Sequence, residues 1–379
     1  MMTQAMIYLD HNATTPLRPE ARAAMVAAMA VAGNPSSVHG FGRAARKIVE
    51  DAREQVAALV DASPAAVIFT GGGTEANALA LNGCARRRIL ASAVEHASVL
   101  EARAGIERIP VDGDGIVDLD ALDGMLAGGR EPALVSVMVA NNETGAIQPV
   151  AKVAAIAARH GAIVHCDAVQ AAGKIPLDLA ELGVQLLSLS AHKLGGPAGA
   201  GALITDGVEL APQLCGGGQE RRRRAGTENI VGIAGFGAAA EAVGGAAAIG
   251  GSAARLAALR ARLEAAVAAV SPASRIMAEG VERLANTSCV LTPGLAAATL
   301  VMALDLAGVG VSAGSACSSG KVATSHVLRA MGLGEHLAGH AVRVSTGWST
   351  TDAEVDDFIG IWSAVTGRLG FAPAASVAA

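Results

Sequence analysis

Short apolar runs rich in Val, Ile and Leu alternate with alanine-rich segments of helical length along the first half of the chain. The runs predict strands at AVIFT (66–70), RRILA (87–91), LVSVMVA (134–140), AIVHCD (162–167), QLLSLS (185–190) and GALIT (201–205). Helices are predicted between most of them, for example over 150–160. Because the strands are apolar on both faces, the alternation predicts an α/β fold with a largely parallel sheet covered by helices on both sides.

A second set of elements follows a long helical region at about 227–270. It consists of the strand SCVLT, a helix over 296–306, the strand AVRVST and a helix over 352–365. The chain has 379 residues, and single hydrophobic cores stop growing at roughly 250 to 300 residues. We therefore predict a large α/β domain, a smaller α+β C-terminal domain and a frayed tail.

Composition and charge argue against several classes of protein. A net charge of −5 gives no overall field that would attract nucleic acid, and the basic stretch at 220–224 is predicted to be a solvated loop. Five widely spaced cysteines without a CxxC pair argue against a disulfide framework and against a cysteine zinc site. The sequence therefore predicts a protein that has no nucleic-acid partner and no intrinsic metal.

The longest uncharged run, at 284–304, has about the length that spans a bilayer. Its polar residues and the pair Pro293 and Gly294 argue against a membrane span. The N-terminus, MMTQAMIYLD, lacks the basic region and apolar stretch of a secretory signal. We therefore expect a cytoplasmic protein without membrane association.

Polar side chains follow four of the predicted strands. In an open parallel sheet, ligands bind beyond the carboxyl ends of the strands, so we expect these side chains at one edge. The segments are GGGTEAN (71–77), which leads into a helix, NNETG (141–145), DAVQ (167–170) and SAHK (190–193). The glycines would expose backbone N–H groups at the positive end of the helix, which suits a phosphate.

Each segment has an ordinary structural explanation when it is taken alone. The glycines could form a simple turn, Asp167 could cap the next helix, and Lys193 could be a solvated lysine. Together the segments supply an anion site, a carboxylate, amides and a lysine amine. Pyridoxal phosphate needs such a set, because it uses a lysine and an acidic partner at its pyridine nitrogen.

Cys317 lies in SAGSACSSG (312–320), a run of serine, alanine and glycine. A structural cysteine normally packs among large apolar side chains. The small neighbours therefore predict a loop in which the thiol is reachable, although a free structural cysteine remains an alternative on these residues alone.

Nine motifs carry a family resemblance. They are YLDHNATTP, GNPSSVHGFGRAAR, FTGGGTEAN, EHASVL, ANNETGAIQP, HCDAVQAAGK, SAHKLGGPAGAGAL, GGGQERRRRAGTEN and SAGSACSSG, in this order. Over about residues 8–361 the chain resembles the cysteine desulfurases of the nitrogen-fixation and iron–sulfur assembly type, within the class V aminotransferase family.

The resemblance implies a pyridoxal-phosphate enzyme of fold type I (aspartate-aminotransferase-like), which forms a homodimer. Its large domain would hold a mostly parallel seven-stranded sheet between helices, and its smaller α+β C-terminal domain would carry the Cys317 loop. The expected bounds are 1–15 for an N-terminal segment that joins the small domain, 16–260 for the large domain, 261–368 for the small domain and 369–379 for a disordered tail.

The resemblance also assigns cofactor contacts. Lys193 would bind the cofactor covalently, Asp167 would pair with the pyridine nitrogen, and His96 would stack on the ring. Gln170 and Asn142 would lie near the ring hydroxyl.

The phosphate of the cofactor would be held by four residues of the same chain, Gly73, Thr74, Ser190 and His192. Thr227, in AGTEN, would reach the phosphate of the neighbouring subunit.

Substrate contacts follow from the same resemblance. Arg343 would bind the carboxylate of L-cysteine through its bidentate fork, with Asn142 beside it. Lys193 and His96 would handle protons, and Cys317 would accept the sulfur as a persulfide while L-alanine leaves. Cys317 would pass the sulfur to an iron–sulfur scaffold or another acceptor protein, and it could transiently ligate an iron–sulfur cluster.

Alternatives remain open at this point. They are a selenocysteine lyase, an aminotransferase, which needs no thiol, and a catalytically silent sulfur-assembly subunit. The sulfur could serve nitrogenase maturation, general cluster assembly or tRNA thiolation. Four positions depart from the family pattern, namely Ala198, Arg222, Thr324 and Trp348.

Overall fold

The computed structural model describes residues 6–129, 131–314 and 324–371. Its strands are β1 (Ile7–Tyr8), β2 (Val67–Thr70), β3 (Arg88–Ser92), β4 (Glu107–Ile109), β5 (Ala133–Ser136), β6 (Ile163–Asp167), β7 (Leu186–Ser190), β8 (Gly201–Thr205), β9 (Arg275–Ile276), β10 (Thr287–Leu291), β11 (Val309–Gly310), β12 (Ser312–Ala313) and β13 (Ala341–Ser345). Its α-helices are α1 (Pro19–Met29), α2 (Gly40–Ala58), α3 (Gly73–Gly83), α4 (Ala97–Leu100), α5 (Leu119–Ala127), α6 (Val150–Arg159), α7 (Leu179–Leu182), α8 (Ile230–Val243), α9 (Ala246–Val270), α10 (Ala297–Leu306), α11 (His326–Ala330), α12 (Glu335–Ala338) and α13 (Asp352–Arg368).

Seven strands form the central sheet, in the order β2-β8-β7-β6-β5-β3-β4. β8 is antiparallel to both of its neighbours, whereas the other neighbouring strands pair in parallel. This sheet confirms the predicted fold class. All six predicted strands of the sheet are present, although the strand predicted at 134–140 is assigned only over Ala133–Ser136. β4 was not predicted, because it is a three-residue edge strand, ERI, without an apolar run.

Helices cover both faces of the central sheet. Along β2, Val67 and Phe69 pack in one apolar cluster with side chains of α2, α6 and α8. Ile68, between them, packs in another cluster with side chains of α3 and α4. Successive side chains of a strand point to opposite faces, so both faces are buried. This explains why the strands of the sheet are continuous apolar runs in the sequence.

A separate apolar cluster lies in the last third of the chain. It contains side chains of α9, β10, α10, β13 and α13, with Phe358 and Trp362 among the largest. Ile7 and Leu9 of the N-terminal segment pack in the same cluster, and β1 pairs in parallel with β11. Next to it, β12, β13, β10 and β9 form an antiparallel sheet in that order. The N-terminal segment is therefore attached to the C-terminal part of the chain.

We keep the predicted bounds of 1–15, 16–260 and 261–368 as a proposal for how the chain divides. Within the predicted tail, residues 372–379 lie outside the described residues. Leu369 and Phe371, just before them, pack against the C-terminal apolar cluster.

Within the described ranges, no single helix is long and apolar enough to cross a membrane. Among the described helices, only the pair α8 (Ile230–Val243) and α9 (Ala246–Val270) together reaches the length and apolar composition of a membrane span. The two helices are bent by 78° relative to each other.

The basic stretch at 220–224 is only partly the solvated loop that its charge predicts. Glu220 is buried and accepts two hydrogen bonds from the guanidinium of Arg53, each of 2.9 Å. Arg224 pairs with Glu75 in the first turn of α3 at 2.8 Å. The charge pattern could not indicate these pairs, because both partners are distant in the sequence.

Arg222 has a φ of +65°, at a position where the family that the chain resembles usually has glycine. This left-handed conformation costs a residue with a Cβ roughly 1 kcal/mol, and the Arg222 side chain is exposed. We expect Arg222→Gly to raise the free energy of unfolding by about 0.5 to 1 kcal/mol in urea denaturation. Arg222→Ala is the matched control, because it removes the side chain but keeps the Cβ. An equal gain in both variants would show that the backbone conformation is not the cause.

Candidate active site

A cavity of about 290 Å³ lies at the carboxyl ends of β6 and β7. Its lining includes ten of the predicted site residues, namely Gly73, Thr74, His96, Asn142, Asp167, Gln170, Ser190, His192, Lys193 and Arg343. Two predicted residues are not among them. Thr227 is exposed outside this cavity, and Cys317 lies outside the described residues.

Lys193 stands at the end of the short helical turn Ala191–Lys193 that follows β7. Its Nζ donates hydrogen bonds to the backbone carbonyl of Asn12 at 2.6 Å and to that of Ala13 at 2.8 Å. Asn12 and Ala13 also line the cavity. The N-terminal segment therefore holds the lysine amine at the wall of the cavity.

Asp167 is the last residue of β6 and is 6% exposed. Its carboxylate accepts hydrogen bonds from Asn77 Nδ2 at 2.7 Å and from the Val169 N–H at 2.9 Å. A buried carboxylate held in this way can pair with a protonated ring nitrogen in the cavity. Asn77, on α3, is a site residue that sequence reasoning missed, because a lone polar residue on a buried helix face gives no sign of its partner.

His96 caps the N-terminus of α4 and is connected to Asp167 through two side chains. The Ser98 N–H donates to His96 Nδ1 at 3.1 Å, and the Ser98 hydroxyl lies 2.8 Å from the same nitrogen. Asn77 Nδ2 donates to that hydroxyl at 2.9 Å. Because Nδ1 accepts from a backbone N–H, the proton of a neutral His96 ring resides on Nε2.

Glu95, next to His96, is fully buried and was also missed. Its Oε1 accepts a hydrogen bond from the Met138 N–H. Burial, and secondarily the charge of Asp167, raises the pKa of Glu95 well above its usual range. Burial therefore favours the protonated, neutral form of Glu95.

The glycines at 71–73 form a tight cup at the start of α3. A Cβ on Gly73 would lie 2.8 Å from Val169 Cγ2, and a Cβ on Gly201 would lie 2.6 Å from the Gly72 backbone. Gly72 itself has a φ of +153°. Only glycines allow these close approaches. The Gly71 N–H already donates to Glu75 Oε2 at 2.7 Å, so the amides that suit an anion are those of the first turn of α3.

One further feature favours an anion at the cup. Arg224 pairs with Glu75, so the carboxylate nearest the cup is compensated. Burial, and then the charge of Lys193, lowers the pKa of His192 to about 4. His192 is therefore neutral at neutral pH, and its Nδ1 lies 3.2 Å from Thr14 Oγ1.

Arg343, on β13, is 3% exposed. Its guanidinium donates to Asp10 Oδ1 at 2.8 Å and to the Asn142 carbonyl at 2.9 Å, and Asp10 also accepts from Ser312 Oγ at 2.6 Å. The arginine is thus held rigidly, with part of its charge balanced. Asp10, in the N-terminal segment, is a third residue that the sequence did not single out.

Gly314 and Ser325, which lie on either side of residues 315–323 in the sequence, both lie against Glu143. Gly314 lines the cavity, and a Cβ there would clash with the Glu143 carboxyl. The Ser325 hydroxyl donates to Glu143 Oε2 at 2.5 Å. Burial raises the pKa of Glu143 to about 7. Gly314, three residues before Cys317 in the sequence, therefore lies at the wall of the cavity.

The residues of the cavity fit pyridoxal phosphate. The glycine cup suits its phosphate, Asp167 suits its ring nitrogen, and Lys193 suits its carbonyl. When bound, this cofactor supplies an electron sink for the electrons released when a proton leaves the substrate. The fold and the site together define a pyridoxal-phosphate-dependent enzyme of fold type I.

Comparisons with known proteins specify the family. The model of the aminotransferase class-V family matches residues 7–358. A cysteine desulfurase of Cereibacter sphaeroides is 44% identical over 380 residues, which cover 96% of each chain. The chain therefore belongs to the class-V aminotransferases and, within them, to the cysteine desulfurases.

Solved structures agree with this assignment. The X-ray structure of a NifS-like protein from Rickettsia africae superimposes with a TM-score of 0.88 at 34% identity, over 96% of this chain and 99% of that one. A structure described as SspA in complex with cysteine has a TM-score of 0.76 at 28% identity, over 89% of this chain and 98% of that one.

Proposed function

We propose that the chain converts L-cysteine to L-alanine and takes up the sulfur as a persulfide on Cys317. The observation that carries this proposal is that the cavity wall with Lys193 and Asp167 also includes Gly314. Cys317 follows Gly314 by three residues in the sequence, and three residues span at most about 10 Å. The complex of a related protein with cysteine supports the choice of substrate.

Each side chain has a task in this proposal. Arg343, with Asn142 beside it, binds the substrate carboxylate at one side of the cavity. Lys193, which faces two carbonyl oxygens, takes the proton from the substrate Cα. His96, with its proton on Nε2, serves as a second proton carrier.

The sulfur transfer is a nucleophilic step. The Cys317 thiolate attacks the substrate sulfur, a sulfur–sulfur bond forms, and the carbon–sulfur bond breaks with its electron pair on carbon. The carbon skeleton then takes up protons and leaves as L-alanine. A thiolate is required because a thiol is a weak nucleophile.

We further propose that the persulfide is passed to an iron–sulfur scaffold or another acceptor protein in the cytoplasm, with nitrogenase maturation as one destination. Cys317 could ligate a cluster transiently during this transfer. The relationship to cysteine desulfurases supports the proposal. Incubation with L-cysteine and a reductant, followed by measurement of alanine and sulfide, tests the activity. Absence of alanine would refute it.

We propose that the protein is a homodimer in which Thr227 reaches the phosphate site of the partner. Four large apolar side chains are exposed on α1, at the start of α2 and on the segment between them, namely Val26 (60%), Met29 (66%), Val38 (89%) and Phe41 (69%). α1 packs against α8, and Thr227 lies three residues before α8. Such an exposed apolar surface suits a second copy of the chain.

Phe41→Glu is expected to weaken this dimer at least about tenfold, because it places a charge in an apolar interface. The molar mass from size-exclusion chromatography with light scattering checks this over a dilution series. Leu306→Glu is the matched control, since Leu306 is also a large exposed apolar residue but lies at the end of α10. A monomeric wild type, or equal masses for the two variants, would refute the proposed interface.

A further inference from the structure

Another lysine, Lys174, lies in the turns that follow β6, four residues after Gln170. Its Nζ donates hydrogen bonds to Gln170 Oε1 at 2.8 Å and to Asn12 Oδ1 at 3.0 Å. Both acceptors belong to residues that line the active-site cavity, whereas Lys174 itself does not. Lys174 therefore contacts the site only through other residues.

Lys174 determines which way the Gln170 amide faces. A lysine amine donates to this contact, so Gln170 must turn its oxygen toward Lys174. The amide nitrogen then points the other way, and Nε2 donates to the backbone carbonyl of Asn12 at 2.9 Å. This is the same carbonyl that accepts the 2.6 Å hydrogen bond from Lys193.

Lys174 fixes the Asn12 side chain in the same manner. With Oδ1 turned to Lys174, Asn12 Nδ2 donates to Thr287 Oγ1 at 2.9 Å. Asn286 Nδ2 adds a second hydrogen bond to Asn12 Oδ1 at 3.0 Å. Asn12 is 1% exposed, so its backbone carbonyl cannot move without the loss of buried hydrogen bonds.

The charge around Lys174 is consistent with this role. Burial, followed by the positive charges of Lys193 and Arg343, lowers the pKa of Lys174 well below its usual range. Two acceptor oxygens face the amine, and both belong to side-chain amides. Lys174 and Lys193 also border a common cavity of about 40 Å³, with Trp348 at its wall.

We propose that Lys174 is a positioning residue that orients Gln170 and Asn12, and thereby holds the Asn12 carbonyl against the ε-amine of Lys193 during turnover. The inference rests on the proposed function, because an effect on kcat requires the ε-amine of Lys193 to act as the base. Lys174 does not line the cavity, so we expect it to affect the chemical step and not substrate binding.

Lys174→Met tests the proposal, because it removes both donors and retains an apolar stem. We expect kcat to fall about ten- to a hundredfold, with KM for L-cysteine changed less than about threefold. The visible absorbance of the holoenzyme without substrate is titrated with pH in parallel. We expect the midpoint of this pH titration to shift by about half a pH unit or more.

A fall in kcat with an unchanged midpoint would indicate a merely structural role and would overturn the proposal, as would an unchanged kcat. If Lys174→Met does not fold, Gln170→Glu serves instead, since it lacks the Nε2 donor to Asn12 and is expected to show the same two effects. Lys152→Met, at an exposed position of α6, is the control that leaves both readouts unchanged.

A wild type that forms no alanine refutes the proposed function, whereas the absorbance titration needs no turnover and still tests Lys174.

Discussion

Lys193→Ala is expected to lower alanine formation from L-cysteine by about 10³-fold or more, because the substitution removes both the covalent anchor of the cofactor and the proposed base. The cavity offers no second lysine among its described lining residues. Lys174 is turned away by its hydrogen bonds to Gln170 and Asn12. Initial rates of alanine formation at saturating L-cysteine and added pyridoxal phosphate measure the effect.

Borohydride reduction provides an independent measurement. In the wild type, the reduced cofactor is expected on the peptide that contains Lys193, and Lys193→Ala is expected to lose this label. Lys152→Ala, at an exposed position of α6, is the matched control and should keep the label and the rate. A label that persists on another lysine of Lys193→Ala, together with turnover, would contradict the assignment. Circular dichroism should show that the variant folds, since the substitution shortens one side chain at the wall of the cavity.

The sheet and the residues that follow its strands could be predicted from the sequence for one physical reason. Parallel strands buried on both faces are continuous apolar runs, and their carboxyl ends meet at one edge. The residues after β6 and β7 therefore had to lie together, and Asp167, Gln170 and Lys193 line one cavity. Their order in the sequence is sufficient for this inference, without knowledge of any side-chain contact.

The N-terminal contribution to the site could not be predicted in the same way. Asp10 and Asn12 follow β1, which pairs with β11, and the Asn12 N–H bonds Ser345 Oγ across 333 positions. A two-residue strand has no periodicity that identifies so distant a partner. The two carbonyls that hold Lys193 were missed for this reason.

Trp348 shows a different limit of sequence reasoning. It stands where the family often has arginine, and from the sequence alone this residue could line the pocket near Arg343. Its Nε1 donates to the Pro16 carbonyl at 3.0 Å, and the guanidinium of Arg18 lies over its ring at 5.3 Å. Trp348 borders the small cavity beside Lys174 instead of the main one. The sequence shows that the residue differs from the family pattern, but only tertiary packing shows which cavity the residue lines.

The properties of the other four cysteines indicate which cysteine of this chain takes up the sulfur from the substrate. Burial raises the pKa of Cys84 and of Cys289, the latter to about 12, and raises the pKa of Cys166 well above its usual range. These three are thiols at neutral pH and are poor nucleophiles. Cys215 is exposed but does not line the cavity. Cys317 is thus the cysteine whose place in the sequence, three residues after Gly314, suits the transfer.

Cys317→Ala is therefore expected to reduce the formation of both alanine and sulfide from L-cysteine by about 10²-fold or more, because no thiolate remains to take the sulfur. Cofactor absorbance should be retained, since the substitution leaves Lys193 and Asp167 in place. Cys215→Ala is the matched control, an exposed cysteine away from the cavity, and should keep the wild-type rates. Mass spectrometry of the wild type after one turnover without reductant should find one added sulfur atom on the Cys317 peptide. Release of sulfide by Cys317→Ala at the wild-type rate would refute the role of Cys317, even if Lys193 proved essential.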